Sequence, residues 1–309
     1  MSIPFISIEE VEHKLDWREM ADAIFAGHQQ GKAKLGDLAL EEGKRSMLNR
    51  AAWINGLGLA LKSVTIFPDN AERTPPIPTI ESVVVLFDHD SGTIKALIDG
   101  QLVTKWKTAS DSILGARLLA PNNPSKLLVI GSGVVATSLI EAYRSEFPML
   151  EEVAVWSRTA DNAKSLAEKM DCTHCADLAA GVAAADIVTS ATMARTPFIK
   201  GEWLTPGTHV DLIGAFLPDM READNALMQK GELFVDSRET TIHEIGELIL
   251  PIQEGAITES DVCADFYDLA NGHHKGRQSP DEITVFKNGG GAHLDLMVAD
   301  LIYQKWSNS

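Results

Sequence analysis

The chain has 309 residues, 45% hydrophobic and 23% charged, the balance of a folded protein with one large or two medium domains. Its formal net charge of −17 repels a phosphate backbone, and no Lys/Arg block exceeds the Lys44-Arg45 pair, so nucleic acid is not an expected partner. Neither a run of about 18 apolar residues nor a basic-then-apolar start is present, since Glu9, Glu10, Glu12 and Asp16 crowd the beginning; no membrane span and no secretory signal are expected.

In chain order, the first marked stretch is 57–66, almost wholly apolar around Lys62. Apolar runs over 82–87 and 93–98 then flank Asp88-His-Asp-Ser-Gly92 and lead into Asp99-Gly100, which are hairpin signals and predict an antiparallel sheet. From Lys126 the pattern changes. Short strands are predicted over 126–131, 152–156, 185–190, 208–214 and 232–236, with helical patterns over 134–147, 162–170 and 221–230 between them. These strands are apolar throughout rather than alternating, as in a parallel sheet covered on both faces. The tail to Trp306 is helical in pattern after Asn288-Gly-Gly-Gly291 and is expected to return to the first domain. The fold class predicted is α/β, with a Rossmann-type doubly wound parallel sheet over 113–282 and a second, α+β domain built from both chain ends, 1–112 and 283–309.

Three cysteines, an odd number, point to reduced thiols in the cytoplasm rather than a disulfide framework. Cys172 and Cys175 form a CxxC around His174, but Cys263 is the only other thiol, so a loop before Asp177 and no metal are expected.

Gly131-Ser132-Gly133-Val134-Val135-Ala136 follows one predicted strand directly and opens a helical pattern. In that context the first glycine permits a tight turn, the second lets backbone approach a pyrophosphate, and Ala136 allows close helix-to-strand packing. The helix start then offers free N–H groups to phosphate. At the end of the second strand an NAD-binding domain usually places an acid that accepts from the ribose hydroxyls. Here Trp156 is followed by Ser157, Arg158 and Thr159, which donate to a 2′-phosphate, so NADPH is the expected cofactor and NADH the weaker one.

Several segments together resemble the ornithine cyclodeaminase and mu-crystallin family over nearly the whole chain. They are Lys62-Ser-Val-Thr-Ile-Phe-Pro-Asp-Asn70, Pro78-Thr79, Leu86-Phe-Asp88, Asp99-Gly100, Lys107-Thr-Ala109, the glycine turn, Trp156-Ser-Arg-Thr159, Pro206-Gly-Thr-His209, Ile213-Gly214 and Val235-Asp-Ser237. The resemblance implies a homodimer whose second domain serves dimerisation, with substrate in the cleft between domains. It implies Lys62 as a lysine that holds a substrate carboxylate, joined by Lys107 and Arg50. Lys107 stands where many relatives carry arginine, which keeps the charge and loses the bidentate fork. Thr79 is implied as a cleft contact, Thr108 as a phosphate contact, and Thr192 and Ile213 as cofactor contacts.

One departure bears on the reaction. Ornithine cyclodeaminases carry a catalytic aspartate shortly after the glycine matching Gly214, and Phe216 stands in its place. A phenyl ring does no acid–base work, which argues against cyclodeamination and leaves bare hydride transfer. The wording of Trp106-Lys-Thr-Ala-Ser-Asp-Ser112 and of Lys287 to Asp295 resembles bacterial reductases of Δ1-pyrroline-2-carboxylate within the family. The reaction implied is reduction of that cyclic imine, or of Δ1-piperideine-2-carboxylate, to L-proline or L-pipecolate, with Asp295 and His293 candidates to stabilise or supply the iminium proton. An alanine dehydrogenase, an ornithine cyclodeaminase and a non-catalytic NADPH carrier are the alternatives, in that order.

Overall fold

Between 34 and 99 short apolar runs are broken by turn residues at Gly43, Gly56 and Asp88-His-Asp-Ser-Gly92, and in the computed structural model, which describes residues 3–308, this stretch is a meander. Strands β2 (Lys34–Glu42), β3 (Arg45–Ile54), β4 (Gly58–Ile66), β5 (Ile80–Phe87) and β6 (Ile94–Asp99) pair antiparallel in succession. The short β1 (Phe5–Ile6) adds parallel to β6 and completes a six-stranded sheet. Side chains alternate between its faces, and the burial follows: along β4, Gly58, Ala60 and Lys62 are buried while Leu59, Leu61 and Ser63 are half-exposed.

The buried face is covered by the helix Ala292–Ser307, which packs on β3, β4 and β5 and on the helix Trp17–Gln29. That second helix starts where Asp16 accepts hydrogen bonds from the N–H groups of Arg18 and Glu19. Trp17 stacks on Trp106 at 3.9 Å between ring centroids. Among the described residues no helix packs on the other face of the sheet. Leu38, Leu40, Met47 and Trp53 are exposed there, beside half-exposed Leu61, Val83 and Val85.

A second sheet has eight strands, all parallel, in the order β13-β12-β14-β11-β10-β7-β8-β9. They are β7 (Lys126–Ile130), β8 (Glu152–Trp156), β9 (Thr173–His174), β10 (Ile187–Ser190), β11 (His209–Leu212), β12 (Glu232–Val235), β13 (Val262–Ala264) and β14 (Thr284–Lys287). Every residue of β10, β11 and β14 is buried, as strands covered on both faces require. The predicted helices appear as Val134–Glu146 and Ala160–Lys169. The third is shorter than its pattern. Asn225–Lys230 begins only after Asp224 accepts from Leu227 N–H, because the residues before it are extended and Ala223 bridges Ile199 in parallel.

The described residues form two compact units, one comprising the chain up to Lys107 and from Gly291 onward, the other Thr108–Gly290. The first division falls inside the helix Gly100–Leu119. Among the described residues no helix is long and apolar enough to cross a membrane. Cys172 and Cys175 flank edge strand β9, and burial pushes both thiols up, so they are protonated at neutral pH. Among the described residues no three His, Cys, Asp or Glu side chains are arranged to hold a metal ion.

Candidate active site residues

In the unit Thr108–Gly290, β7 ends in the glycine turn. Gly131 has φ +127°, and a Cβ there would stand 2.8 Å from the Ala191 carbonyl oxygen, so only glycine fits. Gly133 precedes the helix Val134–Glu146 with no side chain capping its first turn, and a Cβ on Gly133 would meet open space. Val134 is 81% exposed at that helix start, Val135 is exposed beside it, and Ala136 is fully buried against the sheet. A helix end with uncapped N–H groups under open space has the donors and the room to take an anion.

Beside the turn lies a cavity of about 680 Å³ walled by Gly131, Ser132, Ser157, Arg158, Thr159 and Thr192, all singled out in the sequence. Ser132 and Ser157 join their hydroxyls at 3.1 Å across the ends of β7 and β8. Arg158 and Thr159 are exposed, and Arg158 has no ion-pair or hydrogen-bond partner among the described residues. An uncommitted guanidinium and two hydroxyls, with no acid at the end of β8, suit an anionic ribose substituent. Thr108 and Ile213 are half-buried and are not in this wall. Asn162, Met193 and Arg195 are in it and carry no motif that would mark them in advance.

In the other unit, Lys62 is 6% exposed and Lys107 7% exposed, and both ammonium groups converge on one carboxylate oxygen. Lys62 Nζ lies 3.2 Å and Lys107 Nζ 2.7 Å from Asp295 Oδ1, and Lys62 also donates to Thr104 Oγ1 at 2.5 Å. Asp295 is 1% exposed, and its second oxygen, Oδ2, accepts no hydrogen bond among the described residues. The partner that an inward lysine demands is therefore Asp295, which the spacing of the sequence did not pair with it.

Two cations on one anion leave a buried net positive charge. Arg50 adds to it, because strand register puts Asp37, Arg50, Lys62 and Val84 side by side across β2 to β5 on the buried face. Like charges directly opposite repel, and Asp37 relieves only Arg50, at 2.9 Å. Burial and repulsion by Lys62 outweigh Asp295 and lower the Lys107 ammonium to about 8. Burial raises the Asp295 carboxyl, but Lys107 and Lys62 override that and hold it below its ordinary value. Burial, then Lys107, pushes His293 down to about 3, so this fully buried ring is neutral at pH 7. It stacks edge-on with buried His28 at 5.3 Å.

Thr79 is not gathered into this cluster. Ile66 pairs with Ile80, which puts Thr79 beyond the far end of β5, roughly 16 Å along the strand from the Lys62 position. Phe216 is exposed in the turn after Gly214.

Residues 38–309 match the family model for the ornithine cyclodeaminase/mu-crystallin family. The chain is 50% identical over 303 residues to Δ1-pyrroline-2-carboxylate reductase of Paracoccus denitrificans (strain Pd 1222), covering 96% of this chain and 95% of that one. Among solved structures, Δ1-pyrroline-2-carboxylate reductase of Thermococcus litoralis, in complex with NADH and L-proline, superposes with a TM-score of 0.89 at 28% identity, covering 99% of this chain and 98% of that one. An archaeal alanine dehydrogenase dimer with bound NAD gives 0.90 at 27% identity, covering 100% and 97%.

Proposed function

The chain belongs to the ornithine cyclodeaminase/mu-crystallin family, and we propose that within it the chain is an NADPH-dependent reductase of a small cyclic imino acid, Δ1-pyrroline-2-carboxylate or its six-membered homologue, yielding L-proline or L-pipecolate. The observation that carries this reading is the cluster of Lys62 and Lys107 on one oxygen of Asp295, with the other oxygen left without a donor. Such a cluster offers cations for a carboxylate and an acceptor for an N–H, and an α-imino acid carries both. The relative from Paracoccus denitrificans is named for this reaction.

The chemistry that NADPH would supply when bound is hydride for the imine carbon. Lys62 and Lys107 hold the carboxylate, with Arg50 as the outer cation, and their burial strengthens that hold because no water competes. Asp295 Oδ2 accepts the N–H of the protonated ring nitrogen. This keeps the proton on nitrogen, and a protonated C=N is the electrophile the reaction needs. His293, neutral at pH 7, adds no charge to repel an iminium. In the other unit, the uncapped N–H groups after Gly133 would bind the pyrophosphate, Thr192 borders the cavity, and Ser157, Arg158 and Thr159 on the same cavity wall would hold the 2′-phosphate. That last trio is the reason to put NADPH ahead of NADH.

The exposed apolar face of the six-stranded sheet, with Leu38, Leu40, Met47 and Trp53, is the surface on which a second copy of the chain would pack. Three thiols without a disulfide suit the reducing cytoplasm. The experiment that tests the reading is NADPH oxidation measured against five- and six-membered cyclic imines, pyruvate with ammonia, and L-ornithine with catalytic NAD+. Turnover of the imines is expected. Activity confined to pyruvate, or release of ammonia from ornithine, would overturn the assignment.

A further inference from the structure

The parallel strands β10 and β11 end in backbone that must turn away from the sheet, and what holds these two ends is a single acid. Glu222 is fully buried. Its Oε1 accepts from Ser190 Oγ at 2.6 Å, from Thr192 N–H at 2.8 Å and from Thr192 Oγ1 at 2.7 Å. Its Oε2 accepts from Gly214 N–H at 2.7 Å. Backbone N–H groups therefore donate to both oxygens; burial raises the Glu222 carboxyl, and the bonds from Ser190 and Thr192 oppose that and favour the carboxylate. Gly214 is pressed against the same spot, where a Cβ would stand 2.2 Å from Thr192 N and O.

Glu222 is itself fixed from behind. Glu247, also fully buried, accepts from the backbone N–H groups of Glu222 and Ala223, both at 2.8 Å. Lys287, 1% exposed, donates to the Leu212 carbonyl at 2.7 Å and balances charge from within the sheet. Two buried acids and a buried lysine are a costly way to hold a chain turn, since burying ions is unfavourable unless every lone pair is met. The turn they hold is the one that starts at Thr192 and walls the cavity through Met193 and Arg195.

We propose that Glu222 is the positioning residue of the dinucleotide pocket: it pins Thr192 and Gly214 at the ends of β10 and β11, and commits the Thr192 hydroxyl proton inward so that its oxygen can only accept from a bound cofactor. This rests on reading the cavity as the dinucleotide site. It predicts an effect on NADPH and NADH alike, unlike Arg158, because nothing in the Glu222 cluster reads a 2′-phosphate.

The test is titration of the whole protein with NADPH and with NADH, followed by nicotinamide fluorescence, alongside steady-state kinetics and thermal unfolding. Glu222→Gln puts an NH2 against one of the N–H or hydroxyl donors, and should raise both Kd values about tenfold. The KM for cofactor should rise while the KM for imine holds, a split that general loosening of the fold would not give. Asp186→Asn is the control: Asp186 accepts from Ser125 N–H at 2.7 Å and Lys126 N–H at 2.9 Å at the opposite, N-terminal edge of the same sheet. It should lower Tm and leave both Kd values within roughly twofold.

Should Glu222→Gln not fold, Thr192→Val decides, since it removes one donor and keeps the shape; several-fold weaker binding supports the proposal and an unchanged Kd overturns it. Wild-type affinity in a folded Glu222→Gln also overturns it, as does equal weakening by Asp186→Asn. Wild-type protein that binds neither dinucleotide sinks this inference together with the proposed function. Protein that binds NADPH through Glu222 yet reduces no imine sinks the function alone.

Discussion

Lys107 is pulled both ways: Asp295 favours its charge, while burial and Lys62 oppose it, and the opposition wins. The folded value, about 8, lies below the ordinary 10.5. Folding therefore favours the neutral amine, which costs stability at pH below 8, a cost that fades as pH rises toward the unfolded value. A charge that costs the fold stability fits the carboxylate contact proposed for Lys107. Lys107→Met should leave Tm unchanged or raise it, while kcat/KM for the imine collapses; a clear drop in Tm would show the lysine to be structural. In wild type, kcat/KM should fall above a pH near 8, and Lys107→Arg should move that limb upward, since guanidinium does not titrate there. Lys62→Ala should cut kcat/KM by roughly 10- to 100-fold, the range of a buried charge-assisted bond, and leave the NADPH Kd as it was. Arg158→Ala should weaken NADPH by at least about tenfold and spare NADH; equal losses would mean that the 2′-phosphate is read elsewhere. Of these residues, Lys62 was legible because a lone cation in an apolar strand must find an anion. The identity of that anion was not, since Asp295 comes from a helix at the other end of the chain. Glu222 was invisible, one carboxylate in a strongly acidic sequence.

Among elements, the glycine turn was read from its neighbours, a strand before and a helix after, and both are present. Gly131→Ala tests it directly: the left-handed φ and the Ala191 contact should cost about 1–3 kcal/mol in stability and abolish detectable NADPH binding, whereas an alanine variant with normal affinity would detach the turn from the cofactor. Strand β14 shows the limit of pattern reading. Thr284-Val-Phe-Lys287 is short and bounded by two polar residues, yet every one of them is buried because β11 and β12 flank it. Thr284 is satisfied by the Leu119 carbonyl at 2.9 Å and Lys287 by that of Leu212 at 2.7 Å. Periodicity reports apolar side chains, so a strand whose polar ends are buried by hydrogen bonding escapes it. The helical pattern over 221–230 failed because the carbonyls that a first helical turn would use are spent elsewhere: that of Glu222 accepts from the Phe198 and Ile199 N–H groups, and that of Ala223 from Arg221 Nε.

At the scale of the molecule, the hairpin signals at 88–92 and 99–100 were enough to foresee an antiparallel sheet, and the unbroken apolar runs after Lys126 a parallel one. Assembly is where prediction now lies. The uncovered face bearing Leu38, Leu40 and Met47 should make the protein a dimer by light scattering, and Leu40→Asp should shift it to monomer; a wild-type monomer at micromolar concentration would refute the packing. That same sheet ties two properties to one alignment. On β4 the inward residue is Lys62 and the outward neighbours are Leu61 and Ser63. One residue inserted in the β3–β4 connection, displacing β4 against its partners by a single step, would turn the lysine outward and a leucine or serine inward. The proposed carboxylate contact and the proposed subunit pairing would then be lost in one event, so insertions between Ile54 and Gly58 should be tolerated only in twos.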